Sequence, residues 1–347
     1  MLGFLALLIF LSSVGSVGFT LENLESQGGS SPIYYAIFDD PDYLIQQISF
    51  SEGTPRYIVS TTNSWFRLSP DLSKIVFLQL REGSIAGREY DVVIVDVDDL
   101  QQYKLTNHGL NYSPVWSPSG NQVAFIREDE NEYKILVTDI SLDSDETTLF
   151  SSDSYISNIA WSVSSNYIAF IHCSKRNECD LSLLNTESNE VENVTADFGY
   201  SVLDIAWLPD SGGLALIASE DNDISNANVY IIGIEELELT QLTFDGAEYR
   251  YMEWSSNGEL VVFASNQDGD WDIYLLALES LQQFNLTNNG NMQDGFWGLS
   301  VSLNTDQLVY TSGPIDGDFE IFLTDLDIFD AIQITDDEFH SVYPTWH

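Results

Sequence analysis

Along this chain, short apolar runs alternate with clusters of Ser, Pro, Asn, Asp and Gly at a regular interval. The segments "FRLSPDLSKIVFLQL", "PVWSPSGNQVAFIRE", "IAWSVSSNYIAFIHC", "IAWLPDSGGLALIAS", "MEWSSNGELVVFASN" and "LSVSLNTDQLVYTSG" share one form: an apolar strand, a turn, and a second apolar strand. That is the pattern of a β-hairpin. The reference positions Leu68, Trp116, Trp161, Trp207, Trp254 and Val301 are separated by 48, 45, 46, 47 and 47 residues, and nine residues after each stands Phe77, Phe125, Phe170, Leu216, Phe263 or Tyr310. An offset held through six copies is an internal repeat.

Each copy continues into a third strand, from "YDVVIVDV" to "EIFLTDLD", and several close on a short segment ending in Thr, as in "YKLTNHG", "TQLTFDG" and "FNLTNNG". Four short strands per period, with no helical periodicity between them, predict an all-β fold, a β-propeller. One more period beyond Val301 reaches Trp346 in "SVYPTWH", an inner strand with no room for the other three. "IYYAIFDD", "YLIQQISF" and "PRYIVST" near the start supply them. The expected architecture is therefore seven-bladed, with N- and C-terminal strands sharing one blade and Ile33, Tyr343 and Trp346 at the closure. A six-bladed ring capped by the N-terminal strands is the alternative.

At "PVWSPSGNQVAF", "SNQDGDWDIYLLALE" and "FNLTNNG" the chain resembles the TolB-type, WD-repeat-like β-propeller family, and the resemblance extends from about Ile33 to His347. It implies the propeller fold and a periplasmic or secreted interaction platform. Related propellers also stand in front of serine-peptidase domains. The copies depart from the family repeat at "LSVSLNTD", which lacks Trp, at "AWLPDSGG", where Ser is replaced, and at Leu68.

Composition narrows the partners. Eleven Lys and Arg against 55 Asp and Glu give a formal net charge of −44, which repels phosphate backbones and argues against nucleic acid. Residues 1–18, apolar and then rich in small side chains, read as an export signal despite the lack of Lys or Arg. Residues 19–32 read as a flexible leader and 33–347 as a single propeller domain. No later segment has membrane-spanning length. The expected location is secreted, periplasmic or cell-surface, and the expected state a monomer. In such a setting the two cysteines, Cys173 and Cys179, are expected to form a disulfide.

Candidate chemistry is sparse. No Gly-x-Ser-x-Gly elbow is present, and His108, His172, His340 and His347 have no metal-ligand spacing. Asp268, Asp270 and Asp272 alternate in "QDGDWDIY", as do Asp316, Asp318 and Glu320 in "IDGDFEIF". Alternating carboxylates of this kind could hold Ca²⁺, yet Asp-Gly is also what a tight hairpin turn requires. Otherwise no cofactor is expected. Asn111, Asn193 and Asn285 lie in Asn-x-Ser/Thr sequons that coincide with repeat positions. The regularly placed tryptophans suggest packing between blades rather than a carbohydrate surface. The expected function is a non-enzymatic platform binding a protein or an envelope component. A metal-dependent enzyme using acidic channel residues and a structural surface-array component are the alternatives.

Overall fold

A computed structural model describes residues 31–346 apart from 40–41, 50–53, 85–87, 131, 142–144, 176–177, 221–222, 291, 303–304, 327–329 and 337–338. The proposed signal, most of the leader and His347 lie outside the described residues. Seven four-stranded antiparallel sheets form a seven-bladed propeller, so the six-bladed alternative is wrong. Six blades are continuous in sequence: blade 1 (66–104), blade 2 (110–152), blade 3 (155–193), blade 4 (201–241), blade 5 (249–285) and blade 6 (299–333). The closing blade sets the C-terminal strand Ser341–Thr345 innermost, followed outward by Ile33–Asp39, Asp42–Ile48 and Arg56–Thr61. Its two chain ends meet antiparallel, with Tyr34 opposite Thr345 and Ile37 opposite Ser341.

Each blade is apolar on both faces because it is sandwiched between two others, and the core accordingly divides into seven clusters, one per seam. The recurring Phe of the second strand fills these seams, and Phe77, Phe125, Phe170 and Phe263 are fully buried. The recurring tryptophans tie inner strands together. The indole N–H of Trp116 donates to the Arg67 carbonyl at 3.0 Å, that of Trp207 to Ala160 at 3.0 Å, and that of Trp254 to Ala206 at 3.4 Å. Each thus reaches the residue before the preceding blade's reference position. Trp346 is 1% exposed and donates instead to the Ser31 carbonyl at 3.1 Å.

The terminal Thr of the repeat has an equally regular task. Thr106, Thr195, Thr243, Thr287 and Thr335 each accept, through Oγ1, the backbone N–H of the residue fourteen positions earlier, within the third strand. The bond supplies a partner to an N–H that the short fourth strand leaves uncovered. Cys173 and Cys179 face each other across the second and third strands of blade 3, with Cα atoms 3.9 Å apart, and are joined by a disulfide.

Candidate functional site

Chain direction places the inner strands so that they enter from the face bearing the connections between blades and the turns from second to third strands. This face is unlike the other. Seven of the ten exposed large apolar side chains among the described residues sit at these connections: Phe38, Tyr155, Ile224, Phe244, Trp297, Ile315 and Phe339. A cleft of about 480 Å³ opens there at the seam of blade 6 and the closing blade. Its walls come from both chain ends, with Phe38 and Tyr43 on one side and Trp297, Phe319, His340 and Tyr343 on the other.

Aromatic contacts set the shape of the cleft. The Trp297 ring meets Phe296 edge-on at 5.0 Å, Tyr343 at 6.1 Å and Phe319 at 6.4 Å. Such edge-to-face packing holds large rings in fixed orientations. The Arg250 guanidinium lies 4.5 Å from the Phe296 centroid and 4.8 Å from that of Trp271, a cation held on ring faces. Gly298, at φ +127°, lets the closing strand pass, since a Cβ there would come within 3.1 Å of the Tyr343 Cα. The Tyr343 N–H donates to the Trp297 carbonyl at 2.9 Å. Tyr343 is thus part of the closing strand, as expected, while its side chain also lines the cleft. His340 Nδ1 accepts the Phe319 N–H at 3.3 Å, and its Nε2 lies 3.8 Å from Asp318.

Below the cleft the inner strands bring together groups that no local motif announced. Arg67, in blade 1, has its guanidinium 4.7 Å over the Trp65 ring. Asp204 accepts from the Ile205 N–H at 2.9 Å and from Asn158 Nδ2 on the neighbouring blade. Glu253 accepts the Val301 N–H of the next blade at 2.9 Å. Surrounding protein desolvates all three. It pushes the Glu253 carboxyl up to about 7, opposed by the bond from Val301 and the charge of Arg67, raises Asp204, and lowers Arg67. By accessible surface Arg67 is nevertheless exposed and the two acids half-buried, so solvent in the channel moderates these shifts.

The acidic loops are turns. In "QDGDWDIY" Gly269 adopts φ +110° and its N–H donates to the Asn266 carbonyl at 2.9 Å. In "IDGDFEIF" Gly317 donates to the Pro314 carbonyl at 3.0 Å without a positive φ. Asp268 accepts from the Tyr274 hydroxyl at 2.7 Å, Asp316 and Asp318 are exposed, and buried Glu320 accepts from the Thr335 hydroxyl. Asp272 is 1% exposed and accepts from Asn285 Nδ2 at 2.7 Å and Thr287 Oγ1 at 3.1 Å. Among the described residues no three His, Cys, Asp or Glu side chains gather as a metal-holding group. Of the sequon asparagines, Asn111 is buried, bonding Arg127 and the Tyr90 carbonyl.

Comparison with known proteins agrees with the geometry. No curated protein sequence gives a significant match. Among solved structures, TolB from Acinetobacter baumannii is 14% identical with a TM-score of 0.57, covering 95% of this chain and 86% of that one. An oligogalacturonate lyase in complex with manganese is 14% identical with a TM-score of 0.68, covering 85% and 86%. The β-propeller domain of the Trilobed protease from Pyrococcus furiosus, described as having an open velcro topology, is 15% identical with a TM-score of 0.67, covering 88% and 97%. At such identities the likeness is one of fold. The TolB beta propeller domain matches residues 122–347, well over half of the sequence, and the chain belongs to that family.

Proposed function

We propose that this protein is an exported, non-enzymatic propeller that binds a segment of another protein in the aromatic cleft between blade 6 and the closing blade. The observation that carries this reading is the cleft itself: a concave, ring-lined surface on the face that bears most of the exposed apolar side chains. Exposed aromatics around a pocket are the anchors on which protein recognition concentrates. The disulfide and the apolar first residues favour a location outside the cytoplasm. The test is capture from the native envelope or secretome with the parent protein, with Trp297→Ala and with Val163→Ser on the opposite face as baits. A partner retained by Val163→Ser and lost by Trp297→Ala supports the cleft, whereas equal capture by all three removes it.

A second reading, an enzyme using the channel acids, is favoured by one feature. Glu253, held near neutrality, stands in the same channel as Arg67, and a carboxyl so tuned suits proton transfer. A turnover assay on envelope extracts, comparing the parent with Glu253→Gln, separates the two.

A further inference from the structure

The first acid of the third strand recurs in the repeat, and its neutralisation differs sharply between blades. In blade 1 it is Asp91, 1% exposed, met by Arg81 at 2.6 Å and Lys104 at 2.9 Å. In blade 5 it is Asp272, equally buried, with only an amide and a hydroxyl as partners. Beside it, across the seam with blade 6, lies a second acid. Asp294 is 0% exposed; its Oδ2 accepts from Asn289 Nδ2 at 2.7 Å, and its Oδ1 is buried with no hydrogen-bond partner. The Asp294 N–H donates to the Trp271 carbonyl at 2.7 Å, which pins it next to Asp272.

Thr287 stands between the two carboxyls. Its single hydroxyl proton goes to Asp272, and the Thr287 and Ser312 hydroxyls stand close to Asp294 with neither bonding its Oδ1. Among the described residues no Lys, Arg or His forms an ion pair with either acid. Two buried carboxylates sharing too few donors, with no counter-charge, cost far more than a folded protein ordinarily tolerates. Burial raises both; the charges of Asp270 and Asp268 add to the rise of Asp272, and that of Asp272 adds to the rise of Asp294.

We infer that Asp272 and Asp294 bind one Ca²⁺ at the seam of blades 5 and 6, with the unpartnered Asp294 Oδ1 as a direct ligand. Two carboxylates balance the ion's charge. The hydroxyls of Thr287 and Ser312 are oxygen donors of the kind a hard, geometrically tolerant cation accepts. Asp268 and Asp270, in the turn leading to Asp272, provide an acidic approach from the surface. The site borders the cleft, since Gln293 beside Asp294 lines the cleft and Trp271 packs edge-on against Phe296, but its carboxyls are not cleft residues, and it differs from the three-carboxylate loop that the sequence pattern suggested.

Tb³⁺, a Ca²⁺ mimic excited through nearby rings, provides the test, since Trp271 adjoins Asp272 in sequence. The full chain should show sensitised Tb³⁺ emission that saturates at one equivalent and is displaced by Ca²⁺ but not by the same charge of Mg²⁺. Asp294→Asn should weaken that binding at least tenfold, Asp272→Asn likewise, and the exposed control Asp316→Asn should leave it unchanged. Thermal unfolding at constant ionic strength should show a rise with Ca²⁺ in the parent and in Asp316→Asn only. Emission unaltered by Asp294→Asn would overturn the inference. So would an Asp294→Asn protein more stable than the parent whatever the Ca²⁺ concentration, because the acids would then be sharing a proton.

Discussion

Blade 5 and the closing blade carry the same four strands, yet their inner strands are held by different means. In blade 5 the inner strand Tyr249–Trp254 runs directly into its neighbour through a tight turn, closed by the Ser255 N–H on the Leu260 carbonyl at 3.0 Å. Trp254 adds one bond to the preceding blade, and Glu253 one to the next. In the closing blade the inner strand has no covalent link to the strand beside it. It is held by its pairing with Ile33–Asp39, by Trp346 in the seam, and by Ser300, which exchanges two bonds at 3.2 Å with the Trp346 backbone. Where the chain is continuous, contacts refine a strand already delivered to its place. Where it is not, contacts must also meet the entropy of bringing distant chain ends together.

The largest effect should therefore come from Trp346→Ala. Removing an indole from a fully packed site costs about 3 to 5 kcal/mol, and here it also releases the strand that shuts the ring. Thermal unfolding should show a loss spread over all seven blades, with faster exchange of the Ile33–Asp39 amides; a melt like the parent's would mean that closure does not depend on this side chain. A smaller, confined effect is expected from replacing both cysteines by serine. The short loop they close corresponds to about 2 kcal/mol in the chain-entropy estimate. Exchange should quicken in blade 3 alone, and quickening at the closing blade would contradict this locality.

Glu253→Gln probes a seam tie through pH. Its carboxyl is raised from 4.5 to about 7, so it contributes stability that is complete below pH 4.5 and lost as pH rises through about 7. The parent should lose about 1 kcal/mol more than the variant between these limits, after screening by channel solvent. Identical pH profiles for the two proteins would show that Glu253 titrates as it does when unfolded. The smallest difference is expected between two indoles. Trp254→Phe forfeits a bond to Ala206 and should cost about 1 kcal/mol more than Trp161→Phe, because the Trp161 N–H is buried without a partner. Equal costs would indicate that packing alone, not the inter-blade bond, fixes these tryptophans.

How much could be read from residue order depends on the distance over which each feature is encoded. The offsets of Phe125 from Trp116, nine residues, and of Thr287 from Ile273, fourteen, are each set within one blade, so they survive in the sequence as a period. Cys173 and Cys179 are likewise local to one hairpin. Seven blades and a shared closing sheet followed because "SVYPTWH" is an unfinished copy whose missing strands stand at the other end. The alternating acids were legible too, but their directions were not: Asp272 turns into the seam, while Asp316 and Asp318 stay outside.

Other features exist only once the ring is closed. The cleft joins Phe38 to His340 and Tyr343, the channel joins Arg67 to Asp204 and Glu253, and the blade 5 seam sets Asp272 against Asp294. None of these groupings has a spacing to detect, because its members come from opposite ends of the chain, from different blades, or from a strand and an inter-blade connection, and each satisfies the local repeat as an ordinary strand, turn or connection residue. Periodicity in a propeller prescribes how a blade forms and which face it buries. What the blades present to one another, to the channel and to the outer faces is settled by the rotation that brings them round a common axis, and so by packing between residues the repeat leaves free to vary.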